Sequence, residues 1–114
     1  MPVEKWSDRI WIVKLLDEPV LSEDLTSVKQ EVEQASQPPD IVIDLSGATV
    51  LTSSNLSQLL RLRKQAIDFD TKLRLVAIPD SLWVVFMTTG LDKVFDFAPD
   101  LPTALAGLQL DESG

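Results

Sequence analysis

The chain contains no cysteine and no histidine, and its four glycines are scattered. Without cysteine there are no disulfides, no thiolate metal sites and no thiol nucleophile; without histidine the usual general base and the commonest metal ligand are missing. Catalytic triads and zinc centres of the common kinds are therefore excluded. No glycine-rich loop is present to cradle a phosphate, so nucleotide binding has no support. Long hydrophobic runs are lacking too. The longest mostly apolar stretch, Ser81 to Met87, is far short of the ~20 residues that span a bilayer. The opening MPVEKWSDRI is charged and unlike a signal peptide, which makes a soluble cytoplasmic protein the expectation. Positive charge is scarce: Lys+Arg number 10 against 18 Asp+Glu, for a net charge of −8. Such a surface repels nucleic-acid phosphates and anionic lipid, and leaves protein partners, basic ones above all.

What is present is an alternation of strand-like and helix-like segments in 114 residues, a length that suits one domain. Arg9 to Leu16 is rich in β-branched and aromatic residues on both alternating faces except at Lys14, so a strand covered on both sides is expected. Ser22 is a candidate helix cap, with Glu23 and Asp24 favourable in the first turn. Leu25, Val28, Val32 and Ala35 then recur at helical spacing, and SQPPD stops the helix. IVIDLSG reads as a central strand. The segment from Asn55 to Phe69 reads as a second helix with Leu56, Leu59, Leu60, Arg63 and Ile67 on one face and Arg61, Lys64, Gln65 and Asp68 opposite. TKLRLVAIP is a strand closed by Pro79. DSLWVVFMTTG is a third helix capped by Asp80 or Ser81 and ended by Gly90 in the left-handed conformation, with Leu82, Val85, Phe86 and Thr89 inward. KVFDF is a last short strand, and LPTALAGLQL a closing helix followed by a frayed acidic tail, 111–114.

Strands alternating with helices predict an α/β sandwich around one largely covered sheet. A flavodoxin-like or response-regulator fold shares this alternation but needs an acidic phosphoacceptor pocket at the strand ends. Asp44 is the only aspartate inside a predicted central strand, and it does not stand at the C-terminal end. Its expected role is structural, hydrogen-bonding a nearby turn. Lys14, Arg63 and Arg74 are expected to snorkel or pair with acids. Trp11 is a core candidate, and Trp6 a seal for a sheet edge.

Two segments carry a family resemblance. IVIDLSGATVLTSSNLSQLLRLRKQA places a serine pair between a strand and a leucine-rich helix, and TGLDKVF, Thr89 to Phe95, ends the third helix. In this order, followed by ALAGL, the chain resembles the STAS domain family, in particular the stand-alone anti-sigma factor antagonists. The resemblance runs from about Pro39 to Leu108, and more loosely over the first strand and helix. It implies a single STAS-like domain over 1–114, a mixed, mostly covered sheet of about four to five strands flanked by about four helices, no catalytic activity and no cofactor. It also implies partner switching in bacterial transcription control. The unphosphorylated protein binds an anti-sigma factor and so frees the sigma factor. The anti-sigma factor, acting as a serine kinase, phosphorylates the turn before the second helix and ends the complex, and a phosphatase resets it.

In the family that turn commonly reads aspartate, serine, serine or threonine, glycine. Carried onto this chain, the aspartate position is Thr52, the phosphoacceptor is Ser53, the next hydroxyl is Ser54, and the glycine is replaced by Asn55. The connection LLDEPVLSEDL also departs from the family pattern. Beside this stands a plainer reading, in which the polar turn only starts the helix, through an Asn55–Gln58 capping box or a Ser54 cap. The sequon at Asn55 to Ser57 is a false match in a cytoplasmic chain. On the third helix, Trp83, Val84 and Met87 fall outside the inward stripe and form a candidate patch for a partner or for weak homodimerisation, with Trp83 as anchor. The partner-binding set is thus Thr52, Ser53, Ser54, Asn55, Trp83, Val84 and Met87. The second functional reading is a phosphorylation-independent adaptor or scaffold in a signalling assembly or lipid-transport complex. An enzyme ranks last, since no nucleophile pair or metal cluster can be assembled.

Overall fold

A computed structural model describes residues 3–113, with side chains through Leu110. Of the tail 111–114, expected to fray, the backbone through Ser113 belongs to the closing helix, while Gly114 and the side chains of 111–113 lie outside the described residues. The elements in chain order are β1 (Val3–Lys5), β2 (Ile10–Leu16), α1 (Val20–Gln34), β3 (Asp40–Gly47), α2 (Ser53–Asp68), β4 (Leu73–Val76), α3 (Asp80–Thr89), a 3-10 turn (Leu91–Lys93), β5 (Asp96–Ala98) and α4 (Leu101–Ser113). They form one domain around a five-stranded sheet of order β1-β2-β3-β4-β5. β1 is antiparallel to β2, and every later pairing is parallel.

Strand order equals chain order, so each parallel crossover steps the same way. Right-handed crossovers then put α1, α2 and α3 on one face of the sheet. The main core forms there: Trp11, Val13 and Leu15 of β2 and Ile41, Ile43 and Leu45 of β3 pack with Leu25, Val28, Leu59, Leu82 and Phe86. The intervening residues Ile10, Val42 and Val76 point the other way and are covered by Ala104 and Leu108 of α4. This two-sided burial is why the central strands read as apolar runs rather than alternating ones. β2 and β3 approach closely at their ends, where the register shifts between Lys14 and Leu16. A Cβ on Gly47 would stand 2.8 Å from Leu16 Cδ2 and 3.0 Å from the Leu15 carbonyl oxygen. Glycine is thus the residue that lets β3 close against β2 just before the loop to α2.

Several local expectations are corrected. α1 starts at Val20, ahead of Ser22, with Pro19 at its N-cap; Ser22 lies inside the first turn, where its N–H donates to Glu18 Oε1 at 2.7 Å. α3 starts after Pro79, with Asp80 as its first residue rather than its cap. Thr89 does not face inward. It is exposed and donates to the Val85 carbonyl at 2.8 Å, while Leu82 and Phe86 are buried. Gly90 does end the helix, at φ 77°. The buried face of α2 runs through Asn55, Leu56, Leu59, Leu62 and Gln65. Leu60 and Ile67 are exposed instead. The stripe turned because polar positions on it are satisfied by α1: Gln65 Nε2 donates to the Lys29 carbonyl at 3.0 Å, and Gln58 Nε2 to the Ser22 carbonyl at 3.1 Å. Asp44 does not bond a nearby turn as expected; it accepts from the Ser46 N–H at 2.9 Å, two residues on within β3 itself. Arg74 pairs with Asp96 at 3.2 Å, whereas Arg63 donates to the Val94 carbonyl rather than to an acid. Trp11 is buried in the core, and Trp6, just past the edge strand β1, is exposed.

Candidate functional site

The loops after β2 and β3 leave the same end of the sheet, and α2 begins there. Thr52 is the N-cap of α2. Its backbone is extended (φ −83°, ψ 167°), which brings its hydroxyl to the Asn55 N–H at 3.1 Å, and Asn55 Oδ1 returns a bond to the Thr52 N–H at 2.9 Å. This reciprocal box replaces the expected Asn55–Gln58 box and Ser54 cap. Two helix-end donors are thereby satisfied without either serine. Ser53 and Ser54 occupy the first two helical positions, both exposed, and neither hydroxyl has a hydrogen-bond partner among the described residues.

Asn55 has another job. It is 0% exposed, so its side chain offers no surface to a partner, contrary to its place in the partner-binding set. Its Nδ2 donates to Ser22 Oγ at 3.2 Å and lies 3.5 Å from both Glu18 Oε2 and Gln58 Oε1. Asn55 therefore joins the α2 cap to the start of α1. Its burial also keeps the sequon from serving as a modification site in the folded chain.

Two carboxylates that sequence reasoning did not single out hold the loops in place. Asp17 accepts from the Thr49 N–H at 2.7 Å, the Thr49 hydroxyl at 2.6 Å and the Val50 N–H at 3.2 Å, tying the β2–α1 loop to the β3–α2 loop. Those bonds, led by the Thr49 hydroxyl, favour the ionised form and lower the Asp17 pKa below its ordinary 3.8. Glu18 is likewise lowered from 4.5, by the Ser22 hydroxyl first, then the Ser22 N–H and Asn55. The available signal was the pair Asp17-Glu18 between a strand and Pro19, too generic to assign. Leu16, Val20 and Val50 are exposed apolar residues on the same loops and helix start, and so rim this end of the sheet.

On α3, Val84 and Met87 are 57% and 53% exposed. Trp83 is half-buried, its ring edge-on to Phe97 with centroids 4.8 Å apart. The candidate patch is thus two exposed aliphatic side chains beside a partly packed indole. Among the described residues, no group of acidic side chains could hold a metal ion, and no helix is long and apolar enough to cross a membrane.

A family model for the STAS domain matches residues 6–104, which take in β2 to β5 and the capped helix with its exposed serine pair. The chain belongs to the STAS domain family. Solved STAS neighbours share its fold over nearly their whole length. A candidate anti-sigma factor antagonist of Thermotoga maritima superposes with a TM-score of 0.81 at 18% identity, covering 95% of this chain and 93% of the other. An anti-sigma factor antagonist domain protein of Planctomyces limnophilus gives 0.80 at 19%, covering 94% and 96%. A serine-to-glutamate variant of Moorella thermoacetica RsbS gives 0.82 at 20%, covering 99% and 97%. No curated protein sequence matches this STAS chain.

Proposed function

We propose that this STAS domain is a regulatory binding protein of the anti-sigma factor antagonist type, acting in the cytoplasm, docking an anti-sigma factor that is also a serine kinase and released by phosphorylation of Ser53. The observation that carries the reading is the division of labour at the start of α2. Thr52 and Asn55 supply the cap, so Ser53 is exposed with its hydroxyl uncommitted. The N–H groups of Ser53 and Ser54, at the head of the helix, have no intrahelical acceptor and stand at the positive end of the dipole. A phosphate on Ser53 is accommodated there without unfolding the helix. The exposed Leu16, Val20 and Val50 give the same end of the sheet the apolar surface a protein partner buries. Adding about 1.5–2 negative charges in their midst opposes docking, because the phosphate must be desolvated close to Asp17 and Glu18. The switch is electrostatic and needs no change of fold.

A second reading rests on Thr52. Its hydroxyl caps the helix but brings no carboxylate beside Ser53, which favours an adaptor that docks through this surface, in a signalling assembly or lipid-transport complex, without being phosphorylated. One experiment separates the two: incubation with an anti-sigma serine kinase, phosphate mapping by mass spectrometry, and binding of wild type, Ser53→Ala and Ser53→Asp to that kinase. Phosphate on Ser53 together with lost binding by Ser53→Asp supports the switch. Equal binding by all three proteins, with no phosphate on Ser53, overturns it in favour of the adaptor.

A further inference from the structure

A second surface at the other margin of the sheet makes no use of Ser53. β5 is the last strand in the order, so its outer edge carries unpaired backbone groups. Beside that edge lies an open groove of about 390 Å³ lined by Ile78, Asp80, Trp83, Phe97, Ala98 and Pro99. Its aromatic walls are packed against one another. Trp83 packs edge-on against Phe97, and Phe97 against Phe86 at 5.3 Å between centroids, so the apolar shape exists before anything binds. The Trp83 indole N–H has no acceptor among the described residues.

Charge selects the occupant. Asp80 lines the groove, is exposed, and has no cationic partner among the described residues. Asp100 follows the lining residues Phe97 to Pro99 directly in sequence, and the whole chain carries −8. An acidic ligand is disfavoured on all these counts, and a second copy of this acidic chain would bring like charge to like. A free strand edge recognises extended backbone, an apolar slot beside it recognises an alternate side chain, and a carboxylate at its wall recognises a cation.

We propose that the groove between α3 and the β5 edge docks an extended segment of a partner protein that carries one bulky aliphatic side chain flanked by lysine or arginine. The aliphatic group enters between Trp83 and Phe97, backbone amides pair with β5, and the basic side chain meets Asp80. Because β5 has only three residues, the strand pairing is short and the side-chain slot sets specificity.

The test uses the full chain and two blocked pentapeptides, Lys-Val-Leu-Val-Lys and its charge-reversed form Glu-Val-Leu-Val-Glu, followed by tryptophan fluorescence and by NMR of the backbone amides and indoles. Expected are saturable binding of the basic peptide, shifts centred on the Trp83 indole and the Phe97 and Ala98 amides, binding of the acidic peptide weaker by about tenfold or more, and a several-fold loss in Asp80→Asn with an unchanged melting curve. Equal binding of the two peptides, shifts centred elsewhere, the absence of saturation, or sedimentation showing that the groove is filled by a second copy of the chain would each overturn the proposal. Ser53→Asp leaves basic-peptide binding intact, so the result stands apart from the phosphorylation reading.

Discussion

Thr52 and Asn55 cap α2 by exchanging hydrogen bonds: the Asn55 N–H donates to the Thr52 hydroxyl oxygen at 3.1 Å, and the Thr52 N–H donates to Asn55 Oδ1 at 2.9 Å. The exchange decides what is left for Ser53. Were Ser53 or Ser54 the cap, its hydroxyl would be tied to the backbone; here both are free to face solvent or a partner.

Substitution at Thr52 therefore separates folding from function. Thr52→Ala removes one half of the box and is expected to cost about 1 kcal/mol, seen as a fall of several degrees in Tm. Thr52→Asp keeps an acceptor for the Asn55 N–H and adds charge at the positive end of the helix, so its stability should match or exceed wild type by about 0.3–1 kcal/mol. It also restores the carboxylate that the family turn commonly carries, and phosphorylation of Ser53 by an anti-sigma kinase should be faster in Thr52→Asp than in wild type. A Thr52→Asp protein less stable than Thr52→Ala would contradict the capping geometry.

The Asp17 and Glu18 bonds predict acid sensitivity localised to the two loops. Both pKa values lie below their ordinary 3.8 and 4.5 in the folded state, so their stabilisation is complete above those values and is lost as pH falls through the lowered folded ones. Protection of the Ser22, Thr49 and Val50 amides should be lost as pH falls through those lowered values, ahead of that of the β2–β3 core amides. Asp17→Asn should raise exchange at Thr49 and Val50 already at neutral pH and flatten their acid response. Identical pH profiles for wild type and Asp17→Asn would show that the loops are held by something else.

The sheet was legible because burial on two sides writes long apolar runs, as in Ile10 to Leu16 and Ile41 to Leu45. Gly90 marked the end of α3 for a local reason, its left-handed φ. The antiparallel edge β1 was not legible: three residues, two of them charged, carry no periodicity. The buried face of α2 was misread by about one position because apolarity was the guide, and Asn55, Gln58 and Gln65 are polar residues whose partners lie 33 to 36 positions away on α1. The Asp17 bridge to Thr49 spans 32 positions. Such long-range polar contacts leave no spacing in the sequence, which is why Ser53 and its neighbours could be placed by resemblance while the groups that hold them could not.

Asn55 offers the sharpest test of that buried network. Asn55→Asp preserves shape and keeps an acceptor for the Thr52 N–H, but it exchanges the Nδ2 donor for a carboxylate oxygen facing Glu18 Oε2, now 3.5 Å away, and Ser22 Oγ, now 3.2 Å away. An unpaired charge at a fully buried position beside a like charge is strongly unfavourable. The expected loss is about 3 kcal/mol at neutral pH, larger than that of Thr52→Ala, and it should shrink as the pH is lowered and the new carboxyl takes up a proton. Combining it with Glu18→Gln should recover part of the loss, since the neutral amide can donate to the new carboxylate, and the two changes would then be non-additive by 0.5 kcal/mol or more, the order found for groups in contact. Urea denaturation of the four proteins at neutral and acidic pH measures both effects. Strict additivity would mean that Glu18 and Asn55 do not meet, and would remove the link between the α1 start and the α2 cap on which the placement of Ser53 depends.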